Sequence, residues 1–142
     1  MLNKNRIKTV LYVNHTRETL GPIKKDYNYQ GHAIKAYSVG HGMLAKEIFQ
    51  ENKINILLED STDSTPSKIC IEELKAKYCP RAYHRFVEVD KEGHIQCISG
   101  KTTEDEKAFL DGLINFIIKE CREEELVYVP QKEQYAYLNF AA

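Results

Sequence analysis

Most of the signatures that announce a protein's chemistry are missing from this 142-residue chain. It has almost no net charge, −1 at neutral pH, so the molecule as a whole shows no electrostatic attraction to nucleic acid or to a membrane surface. No apolar run approaches the roughly 18 residues that a bilayer-spanning helix needs. The start, Met-Leu-Asn-Lys-Asn-Arg, has charge but no apolar stretch of leader length behind it. The expectation is therefore a cytoplasmic chain without a membrane or nucleic-acid partner. Repeats, low-complexity tracts and a second-domain linker are absent too. So are a nucleophile–base signature, a paired-carboxylate motif and a cysteine spacing of the zinc-ribbon kind. Nothing of this sort marks an enzyme, and the sequence leaves that question open.

What remains is the composition of one ordinary folded domain, with 42% apolar and 29% charged residues. A chain of this length buries roughly 70% of its extended surface, so it folds without a staple. Four cysteines, Cys70, Cys79, Cys97 and Cys121, are widely spaced. In a reducing compartment they act as small hydrophobes. Charge is uneven along the chain. Residues 1–35 hold seven Lys or Arg against two acidic residues, whereas residues 101–125 hold four against eight. That pattern fits two oppositely charged solvated faces, or a basic site for an anion near the N-terminus.

Hydrophobic periodicity predicts strands at Ile7–Val13, Ala33–Val39 and Ile54–Leu58, and helices over Gly42–Gln50 and Ile69–Tyr78. Asn14 to Gly31 is polar, holds the breaker Gly21-Pro22, and reads as a long loop. Arg85–Val89 and His94–Ser99 flank Asp90-Lys91-Glu92-Gly93 as a hairpin. Thr103 and Glu106 form a capping box that opens a helix running to about Arg122. Leu126–Val129 and Tyr135–Phe140 are two further short strand candidates. The predicted fold is α/β: a small mixed-sheet sandwich with a partly parallel βαβ core, an antiparallel hairpin and a long helix in the C-terminal half.

Three short constellations could carry chemistry. Gly40-His41-Gly42-Met43-Leu44-Ala45 follows a strand and opens a helix, in the Gly-x-Gly-x-x-Ala spacing of a dinucleotide turn. The glycines would allow a tight turn and close approach of a phosphate to helix amides. The other reading is a plain strand-to-helix turn. Asp60-Ser61-Thr62-Asp63-Ser64-Thr65-Pro66-Ser67 is either an anion site or a helix cap. Asn14-His15-Thr16-Arg17 follows the first strand. If the three strands run parallel, Asn14, His15, Arg17, Gly40, His41, Gly42, Glu59, Asp60 and Ser61 meet at one edge, where open α/β sheets bind ligands. Lys24, Lys25, Tyr27 and Tyr29 would close over that edge, and His15 or His41 would supply acid–base capacity.

Cys79-x4-His84 with His94-x2-Cys97 has ligand types suited to zinc. However, Val87, Val89, Ile95 and Cys97 alternate onto one apolar face with His94 opposite, so no metal is expected there. The expected function is binding of a phosphorylated small molecule, a nucleotide foremost. No cofactor is named by any motif. The alternative is a homo-oligomeric interaction module without a small-molecule site. It rests on the helix after Thr103, where Phe109, Phe116 and Ile118 widen the apolar stripe beyond one buried face and suit a homodimer.

Overall fold

The computed structural model describes residues 7–15, 21–29, 31–60, 65–90 and 92–119. Six strands form one mixed sheet: β1 (Thr9–Val13), β2 (Ile23–Tyr29), β3 (His32–Val39), β4 (Ile56–Asp60), β5 (Tyr83–Val89) and β6 (Ile95–Ile98), in the order β2-β3-β1-β4-β5-β6. β3, β1, β4 and β5 run parallel, while β2 and β6 are antiparallel edges. The helices are α1 (Lys46–Glu51), entered through a 3₁₀ turn at Gly42–Ala45, then α2 (Thr65–Tyr78) and α3 (residues 104–119). Among the described residues no helix is long and apolar enough to cross a membrane.

β1 lies at the centre and all five of its residues are buried. It therefore reads as a continuous apolar run rather than an alternating one. Val10 and Tyr12 pack with Ile34, Ile56, Leu58 and Val87 against Phe109, Leu110, Leu113, Ile114 and Ile117 of α3. Leu11 and Val13 face the other way, with Val39 and Leu57, against Ile48 and Phe49 of α1 and Ile71 and Leu74 of α2. The result is three layers, helix, sheet, helix.

Several local expectations change. The stretch from Asn14 to Gly31 is not all loop, because β2 pairs along its whole length with β3. It reads as polar because an edge strand exposes much of both faces. Gly31 closes the hairpin at a φ of 84°, a conformation that glycine adopts without strain. In Gly42–Gln50, Ile48 and Phe49 are buried, but Met43 is 71% exposed. The first turn is 3₁₀, which rotates its side chains out of phase with the α-helix that follows.

The alternation expected of the hairpin is also broken. Glu88 pairs with Cys97 and Val89 with Ile95, so Gln96 is an extra residue. Cys97 thereby turns to solvent, and Ile98 packs on the core instead. Phe109 is buried beneath the sheet and Ile118 is partly covered there, so much of the wide apolar stripe is satisfied within the chain. The strand candidates at residues 126–129 and 135–140 lie outside the described residues.

The cap on α3 forms as its sequence implies. Thr103 Oγ1 accepts the Glu106 N–H at 3.1 Å. The Glu106 carboxylate does not close a reciprocal box, since it accepts the Tyr83 hydroxyl at 3.2 Å. Thr103→Ala should therefore cost about 1 kcal/mol of folding stability in urea titration. A loss indistinguishable from zero would show that the cap contributes nothing.

Candidate functional site

Because β3, β1 and β4 are adjacent and parallel, the segments after Val39, Val13 and Glu59 emerge at one edge of the sheet. Asn14 is tied there by its N–H to the Val39 carbonyl at 2.8 Å. Gly40, His41 and Gly42 follow β3, and Asp60 ends β4. Arg17 and Ser61 lie outside the described residues. So does most of the hydroxyl-rich loop, up to Thr65, which begins α2 with Pro66 beside it in the first turn.

The Gly-x-Gly turn uses its amides internally. Gly42 N–H donates to Ser67 Oγ at 2.6 Å. Met43 N–H donates to His41 Nδ1 at 3.1 Å, and Leu44 N–H to the His41 carbonyl at 3.0 Å. Close approach is indeed needed at Gly42, but what approaches is protein. A Cβ at Gly42 would lie 2.4 Å from the Ser67 carbonyl oxygen. His41 is a capping residue with one ring nitrogen committed.

Beneath this turn lies a buried chain of polar side chains. Ser67, His15 and Glu59 are 0%, 2% and 1% exposed. His15 Nδ1 lies 2.6 Å from Ser67 Oγ, and His15 Nε2 lies 3.0 Å from Glu59 Oε1. The other carboxylate oxygen, Oε2, is hydrogen-bonded by His84 Nε2. Strand register accounts for the last contact. Glu59 pairs with Phe86 and Leu57 with His84, so Glu59 and His84 share the α2-facing side of neighbouring strands.

The donors and acceptors run in one direction. Burial pushes the Glu59 carboxyl up, but the hydrogen bonds and charges of two imidazoles outweigh it and hold the group below its usual range. An ionised carboxylate only accepts, so both rings present Nε2–H to it. In the tautomer that presents Nε2–H, the His15 lone pair lies on Nδ1, where it accepts the Ser67 hydroxyl proton. Ser67 in turn accepts from Gly42. The buried polar side-chain atoms of Ser67, His15 and Glu59 are therefore all satisfied.

His84 is the end of this chain that reaches solvent, with its side chain 19% exposed. Its ring lies 5.0 Å from that of Phe86, centroid to centroid. Lys68 Nζ, from the first turns of α2, sits 5.7 Å from the same Phe86 centroid. Asp60 feels the charges of His15, Glu88 and Lys68, and burial pushes its carboxyl up.

Ser67, Lys68, His84 and Phe86 were not legible as a group. Ser67 ends the hydroxyl-rich constellation that begins at Asp60, and Lys68 follows it directly. His84 entered the sequence reading only through the zinc spacing, with Cys79, His94 and Cys97. Those four residues have separate surroundings. Cys79 is buried and accepts the Ile54 N–H at 3.3 Å, and Cys97 is exposed. His94 lies at the turn with Asp90 and Glu92, which is the metal-capable group among the described residues. There the Asp90 side chain is already occupied in holding the turn, accepting from Glu92, His94 and Gln96.

An open recess of about 850 Å³ lies at the opposite edge, between Phe49–Ile56 and Tyr78–Tyr83. Of its polar side chains, Gln50 donates to the Tyr78 hydroxyl, and Asn52 accepts from Tyr37, which lies outside the lining. Comparison with known proteins returned no match to a family model, a curated protein or a solved structure.

Proposed function

We propose that the chain binds a phosphorylated small molecule at the carboxyl edge of its parallel strands, with Lys68 and His84 as the groups that meet the phosphate. The observation that supports this reading most is the anchoring of His84. A carboxylate buried between two imidazoles is costly to assemble, and an apolar trio of similar volume would hold the fold as well. Such arrangements concentrate at functional sites. Here the anchoring leaves His84 Nδ1 uncommitted, with the ring against Phe86, whose centroid Lys68 Nζ also approaches. The Gly42 turn contributes by fixing α2, and hence Lys68, rather than by lending its amides to the ligand.

Inorganic phosphate, pyrophosphate, adenosine monophosphate and adenosine triphosphate should be screened by thermal shift. A ligand at 100 times its dissociation constant should add about 2.7 kcal/mol. Lys68→Ala and His84→Ala should each remove most of the shift, whereas Met43→Ala, at an exposed position, should retain it. No shift with any of the four compounds, or a shift unchanged in both variants, would sink the reading.

Self-association is the second reading, supported by the exposed apolar side chains Met43, Leu44 and Ile69. A 16.4 kDa species in light scattering at micromolar concentration would retire it.

A further inference from the structure

We infer that His84 is a phosphoryl acceptor, its Nδ1 taking a phosphoryl group from a small activated donor, a phosphoric anhydride or an acyl phosphate. This rests on the phosphate-binding reading and adds a covalent step to it. An imidazole acts as a nucleophile only through a nitrogen that carries a lone pair and reaches solvent. His84 Nε2 is committed to Glu59, which leaves the lone pair of the neutral ring on Nδ1. That atom has no partner among the described residues. It is also not enclosed, because Arg85 Nε is the one buried side-chain nitrogen or oxygen there without a partner.

The other histidines fit less well. His15 has both nitrogens engaged inside the protein, and His41 Nδ1 is capped by the Met43 N–H. His94 Nδ1 lies 3.7 Å from an Asp90 oxygen and 3.9 Å from a Glu92 oxygen, a setting that repels a phosphoryl group. His32 has no carboxylate partner among the described residues. His84 combines a carboxylate on Nε2 with a neighbouring aromatic ring, Phe86, that Lys68 Nζ also approaches.

The step balances as follows. The Nδ1 lone pair forms the N–P bond while the P–O bond to the leaving group breaks, and the leaving oxygen keeps the electron pair. The ring retains its Nε2 proton, and its new positive charge lies against ionised Glu59. Lys68 offsets the charge on the transferred group. Return to the free enzyme form needs only water: its oxygen attacks phosphorus, the N–P bond breaks with its electrons returning to Nδ1, and a proton leaves to solvent.

The test exposes the full folded chain to acetyl phosphate and, separately, to phosphoramidate, and follows the label by intact mass and by phosphorus and nitrogen NMR at alkaline pH. The expected product is one acid-labile phosphoryl group per chain, on His84 Nδ1, formed at least about ten-fold faster than any label on His94. His84→Ala should abolish it. Glu59→Gln should slow it about ten-fold or more, since the ring charge loses its counter-charge. If Glu59→Gln fails to fold, Lys68→Ala is the second variant, expected to slow labelling to a similar degree.

Label spread evenly over His84 and His94, label on Nε2, or no label would each overturn the inference. If inorganic phosphate still shifts the melting temperature in a Lys68-dependent way, the binding reading survives that loss. If none of inorganic phosphate, pyrophosphate, adenosine monophosphate and adenosine triphosphate gives such a shift, both fall.

Discussion

Gly42→Ala should destabilise the protein by about 3 kcal/mol, the upper end of ordinary overpacking costs. The added Cβ would lie 2.4 Å from the Ser67 carbonyl oxygen, 3.0 Å from Ile71 Cγ1 and 3.1 Å from Cys70 Cβ. The first of these contacts is with backbone inside a 14-residue helix, so no rotamer change relieves it. Moving α2 away to make room would also stretch the Gly42 N–H to Ser67 bond and loosen the buried chain beneath it. Gly42→Val should be worse and fail to fold. Gly21→Ala is the control, because a Cβ there meets nothing within 4 Å. Urea titration of the three variants checks the prediction. A Gly42→Ala loss under about 1 kcal/mol would mean that the close approach to α2 is not present in solution. A ligand-binding defect in a Gly42 variant is consequently no evidence for phosphate at the turn unless the fold is shown to be intact.

Glu59→Gln should cost about 3 kcal/mol at neutral pH, the upper end of the range for leaving a buried hydrogen-bonding group unsatisfied. The amide keeps one acceptor oxygen but turns an NH₂ group toward the second imidazole, donor against donor. One ring must change tautomer or lose its bond, and His15 and Ser67 are both buried. The effect should depend on pH with a definite sign. The Glu59 carboxyl is depressed in the fold, so its contribution is complete above its unfolded value of 4.5 and fades as pH falls below that value. The gap between wild type and Glu59→Gln should therefore narrow progressively below pH 4.5. Asp60 works the other way. Its carboxyl is raised from 3.8, so acidification relieves an unfavourable burial and offsets part of the loss. A gap that stays constant from pH 7 down to 3 would show that Glu59 is not the ionised centre of this cluster (a range spanning both sides of its ordinary value).

Much of the sheet was readable because strand burial leaves a strong mark. The β-branched run of β1 and the apolar run of β4 are what a doubly covered parallel strand requires, and the hairpin between β5 and β6 followed from its turn residues. β2 was hidden because an edge strand needs no apolar pattern, and its lysines and asparagine look like loop. The β6 register was hidden for a different reason. One extra residue reverses the face of everything beyond it, and nothing in Ile95-Gln96-Cys97-Ile98 says where the bulge falls.

The candidate site divides along the same line. The chain's local chemistry determined the βαβ core, the turn at Gly40–Gly42, the cap on α3 and the presence of polar groups after β1 and β4, since each depends on neighbours a few residues apart. Only tertiary structure decided which polar groups meet. Glu59 joins His15 across 44 positions and His84 across 25, because strands adjacent in the sheet are distant in the chain. The Gly42 N–H meets Ser67 because α2 packs over the turn, a contact that depends on the sheet order β3-β1-β4 and not on any spacing within the motif.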